Sequence, residues 1–413
     1  MKIAISLWMF KPGTGGLQSH AEQLCLALQR RGHEVMLITR FYSFLPQGCG
    51  YLYQNEKSGD TCINGVTTRP LCLPPHGRLL NWFLSRCVEH RQFTALGVRL
   101  YEWLAGRSAQ EAFRGAELVH HIGQSTALMG FAAERAARFH GVPFLVQPTC
   151  HPDQAGDAYR DHFLFRRADR LLVHTKFERG YFESRYPKIP VDVVGNGIED
   201  RTDGCAERFR NATGVAGPFI LFIGRKDPDK GYPLVTAAFR QLRQKMPEVS
   251  LVCMGPGDRN GKIPPMPGLL DLDFVPEQMK NDALSACSCL CVPSVGESFG
   301  LVYMEAGRYA KPVVARRLPV LEELLDHGRA GLLLGRQGAS KNHVELEIDE
   351  LAAGLFELLN SPERCRKLGQ ASRKASENFI WPRVVERFEA AYKSMRSPAD
   401  ELSTMLTGID RRL

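Results

Sequence analysis

The sequence predicts an α/β fold of two doubly wound units that face each other across a cleft. A strand, a glycine-rich or polar turn and a helix follow one another near residue 1 and again near residue 218. A polar, glycine-rich stretch lies between these repeats, and 413 residues suffice for two domains of ordinary size. Because ligands of open α/β sheets bind outside the carboxyl ends of the strands, we expect the site between the two units.

Composition excludes several classes of protein. Hydrophobic residues make up 44% and charged residues 24% of the chain, which is typical of a globular protein and excludes global disorder or a fibrous repeat. No run approaches the ~18 consecutive apolar residues of a membrane span. The opening MKIAISLWMFKPG lacks a cleavage site and is interpreted as a strand, so we expect a cytoplasmic protein.

The net charge and the spacing of the cysteines limit the classes of ligand and the compartment that the sequence predicts. The net charge of +8 is too small to predict nucleic-acid binding, but it suits anionic small ligands or an anionic membrane surface. The 12 cysteines form no C-x-x-C pair, so no metal site is expected and the compartment is expected to be reducing. Cys287, Cys289 and Cys291 alternate and are interpreted as buried apolar positions of a strand.

The first unit begins with the apolar run KIAISLWM, which is typical of a strand. A glycine-rich turn at 11–16 leads into a helix whose apolar positions recur at helical spacing from Ala21 to Leu28. Gly32 is placed to end that helix, and EVMLIT starts the next strand. The glycines of this turn, Gly16 among them, predict that a ligand approaches the backbone closely here.

This turn is not a full dinucleotide fingerprint. Gln18 stands where the third glycine is required, and no acidic residue follows the second strand. An NAD-dependent dehydrogenase is therefore disfavoured, and Arg40 leaves an NADP enzyme only as a distant alternative.

Residues 79–105 combine five large aromatic side chains with three arginines. A helix of this composition could rest on an anionic membrane surface. The alternative, a pair of ordinary packed helices, is favoured by the sequence.

The second unit repeats the alternation of strand and helix. The predicted strands are 218–224, 249–255, 287–294 and 311–316, and the predicted helices are 232–245 and 298–310. The stretch 191–217 is interpreted as the linker between the units.

The segment 293–306 carries the strongest functional signal. It joins a strand to a helix, and the first amides of a helix suit a phosphate. Gly300 lets an anion approach the backbone. Glu297 and Glu305 are eight residues apart, so they cannot share one proton. They could instead accept hydrogen bonds from sugar hydroxyls at two ends of an extended ligand.

The loop 224–231 adds positive charge beside this segment. Arg225 can contact a phosphate with two hydrogen bonds, and Lys230 supplies a point charge. Both would stabilise the charge that develops on a departing diphosphate. Taken alone, such a loop is typical of a solvated surface.

Two further segments carry weaker signals. His151 follows the strand FLVQPT and is expected to face the cleft, where it is either structural or functional. The stretch 255–262 superficially resembles a phosphate-binding P-loop, but its spacing fails and Ile263 replaces the required hydroxyl residue.

Taken together, these motifs resemble those of the retaining glycosyltransferases of family 4, also called glycosyl transferase group 1. GESFGLVYMEA is similar to the family's E-x7-E signature, and GRKDPDKG is similar to its Gly-Arg…Lys-Gly loop. VGNGIE, TGGLQSHAEQLCLALQRRGHEV and ENFIWPRVVERFEAAYKSM resemble its linker entry, its first strand–helix–strand unit and its C-terminal segment.

The resemblance implies a GT-B fold with two Rossmann-like domains. The acceptor domain would span 1–199 and the nucleotide-sugar donor domain 200–380. The C-terminal helix, 381–413, would cross back onto the first domain.

The resemblance also implies roles for individual residues. Glu297 would contact the transferred sugar, and His151 would lie near it. Arg225 and Lys230 would neutralise the departing diphosphate.

For donor binding, backbone amides at 299–301 would hold the sugar and distal phosphate, and Glu305 would bind the ribose hydroxyls. The implied donor-binding residues are Gly16, Gly224, Phe299, Gly300, Leu301, Val302 and Glu305.

The implied reaction transfers a hexose from a UDP- or GDP-sugar to a hydroxyl of a glycan, a lipid-linked acceptor or a small molecule. Front-face attack would retain the anomeric configuration, with neither a metal nor another cofactor. A nucleotide-sugar 2-epimerase-like isomerase and a non-catalytic nucleotide-sugar binder are the alternatives. Lipid contact through 79–105 would place the protein at the inner face of the cytoplasmic membrane.

Two departures from the family pattern leave the base open between uridine and guanosine. The loop 315–320 carries Arg316 and Arg317 where the family has a Gly-Gly pair, and these arginines are expected to alter one wall of the donor pocket. The stretch 271–276 lacks a glycine that often precedes the nucleoside-binding Val-Pro.

Overall fold

Two separate parallel sheets carry the strands in a computed structural model that describes residues 1–10, 15–41, 59–73, 77–150, 156–257, 266–337 and 344–395. The first sheet contains β1 (Lys2–Met9), β2 (Glu34–Phe41), β3 (Thr61–Ile63), β4 (Val66–Pro70), β5 (Leu118–Ile122), β6 (Phe144–Gln147), β7 (Arg170–Val173) and β8 (Val191–Val193). Their spatial order is β3-β4-β2-β1-β5-β6-β7-β8, and only β3 is antiparallel to its neighbour.

Helices cover both faces of this sheet. They are α1 (Gly16–Arg30), α2 (Gly77–Cys87), α3 (Thr94–Ala112), α4 (Met129–His140), α5 (Tyr159–Phe165) and α6 (Lys176–Arg185), with a 3₁₀ turn at Thr126–Leu128. Every residue of β5 and β6 is buried, as parallel strands between two helical layers must be.

The second sheet is wholly parallel. Its strands are β9 (Phe219–Ile223), β10 (Ser250–Met254), β11 (Leu269–Leu272), β12 (Cys289–Cys291), β13 (Val313–Arg316) and β14 (Leu332–Leu334), in the order β11-β10-β9-β12-β13-β14. A short antiparallel pair, β15 (Arg336–Gln337) and β16 (Val344–Glu345), follows.

The helices of the second half complete the chain. They are α7 (Ala206–Thr213), α8 (Tyr232–Lys245), α9 (Glu277–Ala286), α10 (Leu301–Arg308), α11 (Pro319–Leu324), α12 (Ile348–Leu359), α13 (Pro362–Ser376) and α14 (Trp381–Lys393), with 3₁₀ turns at Asp326–Gly328 and Glu377–Phe379. The predicted helix 232–245 has the bounds of α8, whereas α10 begins three residues later than the predicted start at 298.

The stretch 191–217, which the sequence predicts to be a linker, contains two regular elements. Residues 191–193 form β8, the last strand of the first sheet, and α7 occupies 206–213. A three-residue strand is too short to show a periodicity, and its stability comes from pairing with β7. The predicted boundary at 199/200 lies in the segment between β8 and α7.

The last described helix returns to the first sheet. Trp381, Val384, Phe388 and Tyr392 are buried on one face of α14, in a core shared with α1 and β1. The indole of Trp381 stacks on His20 of α1 with 5.7 Å between ring centroids. The last described helix therefore packs against the first domain, whereas the chain segment before it belongs to the second domain.

Three polar side chains fasten α14 to the end of α1. Arg31 donates to both carboxylate oxygens of Glu389, at 3.2 and 2.9 Å, and the Nε2 atom of His33 lies 2.9 Å from Glu389 Oε1. The hydrogen bonds from Arg31 lower the pKa of Glu389 to about 2, although partial burial acts in the opposite direction.

The alternating cysteines are buried, as predicted. Cys287, Cys289 and Cys291 are at most 2% exposed, and burial raises the pKa of each thiol. Cys289 and Cys291 belong to β12, which lies between β9 and β13 in the second sheet. Within the described ranges, no helix is both long and apolar enough to cross a membrane.

We predict that Glu389→Gln lowers the free energy of unfolding by about 2 kcal/mol at pH 7, because charge-assisted hydrogen bonds are lost. Since the folded pKa lies near 2 and the ordinary value is 4.5, the difference from wild type stays constant above about pH 5 and shrinks as pH falls toward 2. Urea unfolding followed by circular dichroism measures it.

Glu386→Gln is the matched control, because Glu386 lies on the same helix, is 61% exposed and is 3.9 Å from Arg31. Its effect should stay below about 0.5 kcal/mol. Equal effects of the two substitutions, or a difference independent of pH, would contradict this account of Glu389.

Candidate functional site

The second sheet reverses its strand order at β9, which has β10 on one side and β12 on the other. At such a switch point the loops after the two central strands separate and leave a crevice at their carboxyl ends. The loop 224–231 follows β9 and the loop 292–300 follows β12. The two motifs singled out from the sequence therefore flank the crevice where a ligand is expected.

The two loops are tied directly to each other. The amide of Val295 donates to the carbonyl of Asp229 at 2.9 Å. Gly231 has φ +73°, and a Cβ built there would lie 2.5 Å from the carbonyl oxygen of Pro293. Only glycine allows both this backbone conformation and so close an approach.

This approach brings Lys230 and Glu297 together. Lys230 Nζ donates to Glu297 Oε1 at 2.6 Å, and the hydroxyl of Ser294 donates to the same oxygen at 2.7 Å. Tyr303 fixes the loop from below, because its hydroxyl donates to the carbonyl of Val292 at 2.8 Å. The Glu297 side chain is only 9% exposed, whereas that of Lys230 is 26% exposed.

Arg225 lies on the open side of the first loop. Its Nε donates to Asp227 at 2.6 Å, and its side chain is 60% exposed. The other oxygen of Asp227 accepts the amide of Lys230 at 2.9 Å. Gly224, at the start of the loop, has φ +156° and donates its amide to Met254. The structure therefore places both predicted cations on one loop, but of the two only Lys230 forms an ion pair with Glu297.

The helix α10 begins at the crevice. Gly300 has φ +91° at the N-cap, and a Cβ there would lie 2.4 Å from the ring of Tyr303. Leu301 and Val302 are the first helical residues, so their amides are among those that a helix cannot satisfy internally. The prediction for Phe299 concerns its backbone amide; its side chain is buried between His174 and Phe379.

Glu305, one turn into α10, is paired with a residue that sequence reasoning missed. Lys280 of α9 donates to Glu305 at 3.0 Å and lies 2.9 Å from Glu277. Burial alone would lower the pKa of this ammonium, but the two carboxylates outweigh it and raise the pKa of Lys280. No local motif around Lys280 signals this role, which depends on packing of α9 against α10.

Arg316 and Arg317 bind backbone carbonyls. Buried Arg316 donates to Val344 at 2.6 Å and to Pro293 at 3.4 Å, so it supports the loop that carries Glu297. Arg317 donates to the carbonyl of Leu333 at 2.8 Å. Their effect on the crevice is therefore indirect.

The first sheet has a switch point of its own, at β1. Gly16 opens α1 at the carboxyl end of β1, where the order of the first sheet also reverses. It is exposed, and a Cβ built there would meet nothing within 4 Å. His151 lies outside the described residues.

A carboxylate joins the two domains beside this crevice. Glu323 of α11 accepts the amides of Lys176 and Phe177, the first two residues of α6, at 2.9 and 3.0 Å. A carboxylate is favoured at a helix N-terminus, so this contact stabilises the observed arrangement of the domains. Sequence reasoning missed this contact, because Lys176 and Glu323 are 147 positions apart in the chain.

Within the residues that the structure describes, no group of three or more His, Cys, Asp or Glu side chains could hold a metal ion.

Comparison with known proteins identifies both halves of the chain. A model described as glycosyl transferase 4-like domain matches residues 15–197, and one described as glycosyl transferases group 1 matches residues 217–360. A D-inositol 3-phosphate glycosyltransferase from Segniliparus rotundus is 24% identical over 93% of this chain and 86% of its own length.

Solved structures with the same architecture include Alr3699/HepE from Anabaena in complex with UDP-glucose, with a TM-score of 0.70 and 16% identity over 95% of this chain and all of that one. Another is a sucrose-phosphate synthase from Thermosynechococcus elongatus, with a TM-score of 0.67 and 18% identity over 95% of this chain and 98% of that one. These similarities confirm the predicted GT-B fold.

We predict that Gly231→Ala disrupts the contact between the two loops and costs several kcal/mol more than backbone strain alone, because Pro293 cannot yield to a Cβ at 2.5 Å. Gly214→Ala is the matched control, since Gly214 has φ +72° with no atom within 4 Å of a Cβ. That control should cost about 1 kcal/mol. Urea denaturation compares them, and equal costs would contradict the steric explanation.

Proposed function

Since this chain belongs to the group 1 glycosyltransferases with a family 4-like amino-terminal domain, we propose that it moves a hexose-type sugar from a UDP- or GDP-sugar to an acceptor hydroxyl. The proposal includes retention of the anomeric configuration and independence of metal ions. The observation that carries it is the ion pair of Lys230 and Glu297 across the switch point of the second sheet.

The proposed diphosphate position lies between the loop 224–231 and the start of α10. Lys230 and Arg225 supply positive charge there, and the amides of Leu301 and Val302 add the positive end of the helix. A diphosphate gains negative charge as the bond to the sugar breaks, so fixed positive groups stabilise the transition state more than the ground state.

The proposed sugar position lies at Glu297. A carboxylate held by Lys230 and Ser294 has a fixed orientation and can still accept a hydrogen bond from a sugar hydroxyl. Glu305, which accepts a hydrogen bond from Lys280, is the proposed acceptor of hydrogen bonds from the ribose hydroxyls. Gly16 leaves the opposite wall open for the donor phosphates and for the acceptor, which is a hydroxyl of a glycan, a lipid-linked molecule or a small molecule.

In the proposed step the acceptor oxygen bonds to the anomeric carbon on the face from which the diphosphate departs. The carbon–oxygen bond to the distal phosphate breaks, and that phosphate oxygen takes the proton of the acceptor hydroxyl. The electron pair of the broken bond stays on the diphosphate, where Lys230 and Arg225 stabilise it. Glu297 orients the sugar and does not bond to it.

We predict that Lys230→Ala and Glu297→Gln each lower kcat by about 10²–10³-fold, since each removes a fixed interaction with the transition state. Arg240→Ala is the control, because Arg240 is exposed on α8, and it should change kcat less than about twofold. Turnover is measured with UDP- and GDP-sugars, with circular dichroism as the test of folding.

The same assay tests the two finer parts of the proposal. NMR of the product should show the donor's anomeric configuration, and EDTA should leave turnover unchanged. Turnover near wild type in either site variant, an inverted product, or loss of activity in EDTA would each contradict the corresponding part.

A further inference from the structure

Exposed large hydrophobic side chains are concentrated in one region of the first domain. Phe83 is 57% exposed, Leu96 59% and Trp103 78%. Leu80, Phe93 and Leu100 are also exposed, so six of the eleven exposed large hydrophobic side chains in the described residues lie between 80 and 103. Single exposed apolar residues are ordinary, but a concentration of this kind marks an interaction surface.

On α3 these side chains share one face of the helix. Leu96, Leu100 and Trp103 are spaced by four and three residues, which places them in one row. Val98 and Tyr101, on the other side, are fully buried in the core beneath. The exposed apolar row is therefore distinct from the face that stabilises the fold.

The preceding helix, α2, is fixed against α3 and also carries exposed apolar side chains. Gly97 allows the close approach, since a Cβ there would lie 2.8 Å from Val88, and Thr94 donates to the carbonyl of Val88 at 3.1 Å. With Leu84 buried, Phe83 remains on the outer side of α2. The sequence-based expectation of packed helices is correct for the inner faces, whereas no described residue covers the exposed side chains of the outer faces.

Two cations stand in the same row as the apolar side chains. Arg99 and Arg107 are exposed, three and eleven residues after Leu96, and make no ion pair or hydrogen bond with the described residues. The acidic groups nearby are otherwise engaged. Glu102 pairs with Arg167, Glu111 with Arg114 at 3.1 Å, and Glu89 with Arg160 at 3.1 Å.

We infer that this outer face, which consists of Leu80, Phe83, Leu96, Arg99, Leu100, Trp103 and Arg107, binds the surface of an anionic lipid bilayer. Leucine and phenylalanine side chains enter the acyl boundary, and tryptophan favours the level of the headgroups. The guanidinium groups of Arg99 and Arg107 meet lipid phosphates. Together they give the face the pattern of a helix that lies in the membrane interface.

Charge favours a bilayer over a second copy of this chain. A two-fold symmetric contact pairs the same patch with itself, so Arg99 and Arg107 would be buried with like charges. An anionic bilayer instead supplies the opposite charge over the whole face. This inference does not rest on the proposed sugar transfer.

The test is flotation of the full-length protein with vesicles of equal parts phosphatidylglycerol and phosphatidylcholine, and with vesicles of phosphatidylcholine alone. Wild type should float with the anionic vesicles and far less with the neutral ones. Arg99→Gln with Arg107→Gln should lower the partition coefficient roughly thirtyfold, from two cations near an anionic surface. Leu96→Ser with Trp103→Ser should lower it roughly tenfold or more.

Matched controls come from the second domain. Arg366→Gln with Arg373→Gln removes the same charge from the exposed side of α13, and Phe274→Ser removes a side chain that is 74% exposed. Neither should reduce flotation appreciably. Unchanged circular dichroism shows that each variant is folded.

Three results would overturn the inference. One is a wild-type protein that stays unbound with both vesicles, and another is controls that lose binding as strongly as the variants of the α2–α3 face. The third is a wild-type protein that does not float and instead sediments as a dimer, provided that Trp103→Ser dissociates this dimer. That last result would assign the face to a second copy.

Discussion

The contact between the loops after β9 and β12 determines the geometry of the site. Gly231 lies against Pro293, and the amide of Val295 donates to Asp229, so the two loops cannot separate without breaking backbone contacts. The two loops begin at the ends of adjacent strands in a fully packed sheet, so the sheet fixes the position at which each loop starts. Lys230 and Glu297 meet because their backbones are held this way.

An ion pair in this position is well suited to exchange its partner. Breaking a partly buried pair leaves a charge without compensation, which is costly unless a ligand replaces the missing group. A bound diphosphate would offer Lys230 more negative charge than Glu297 does, and a sugar hydroxyl would satisfy the carboxylate. Lys230 and Glu297 are thus already held close to the positions that the proposed reaction needs, so the exchange of partners requires little reorganisation.

Local patterns in the sequence predicted the two α/β units and the bounds of α8, and they singled out the segments 224–231 and 293–306, which the structure brings together. The remainder depends on contacts between distant segments. Lys280 becomes part of the site through the packing of α9 on α10, and Glu323 acquires its role through contact between domains. Neither has a periodicity or a motif, so reasoning from one sequence could not find them.

The most direct test is calorimetric titration of UDP and GDP into wild type, Lys230→Ala and Glu297→Gln. If Lys230 exchanges Glu297 for the diphosphate, Glu297→Gln frees the ammonium and removes a nearby negative charge. Its Kd for the preferred nucleotide should then fall several-fold, while Lys230→Ala raises Kd by roughly tenfold, or about 1.4 kcal/mol. Equal weakening of nucleotide binding by both substitutions would contradict the account.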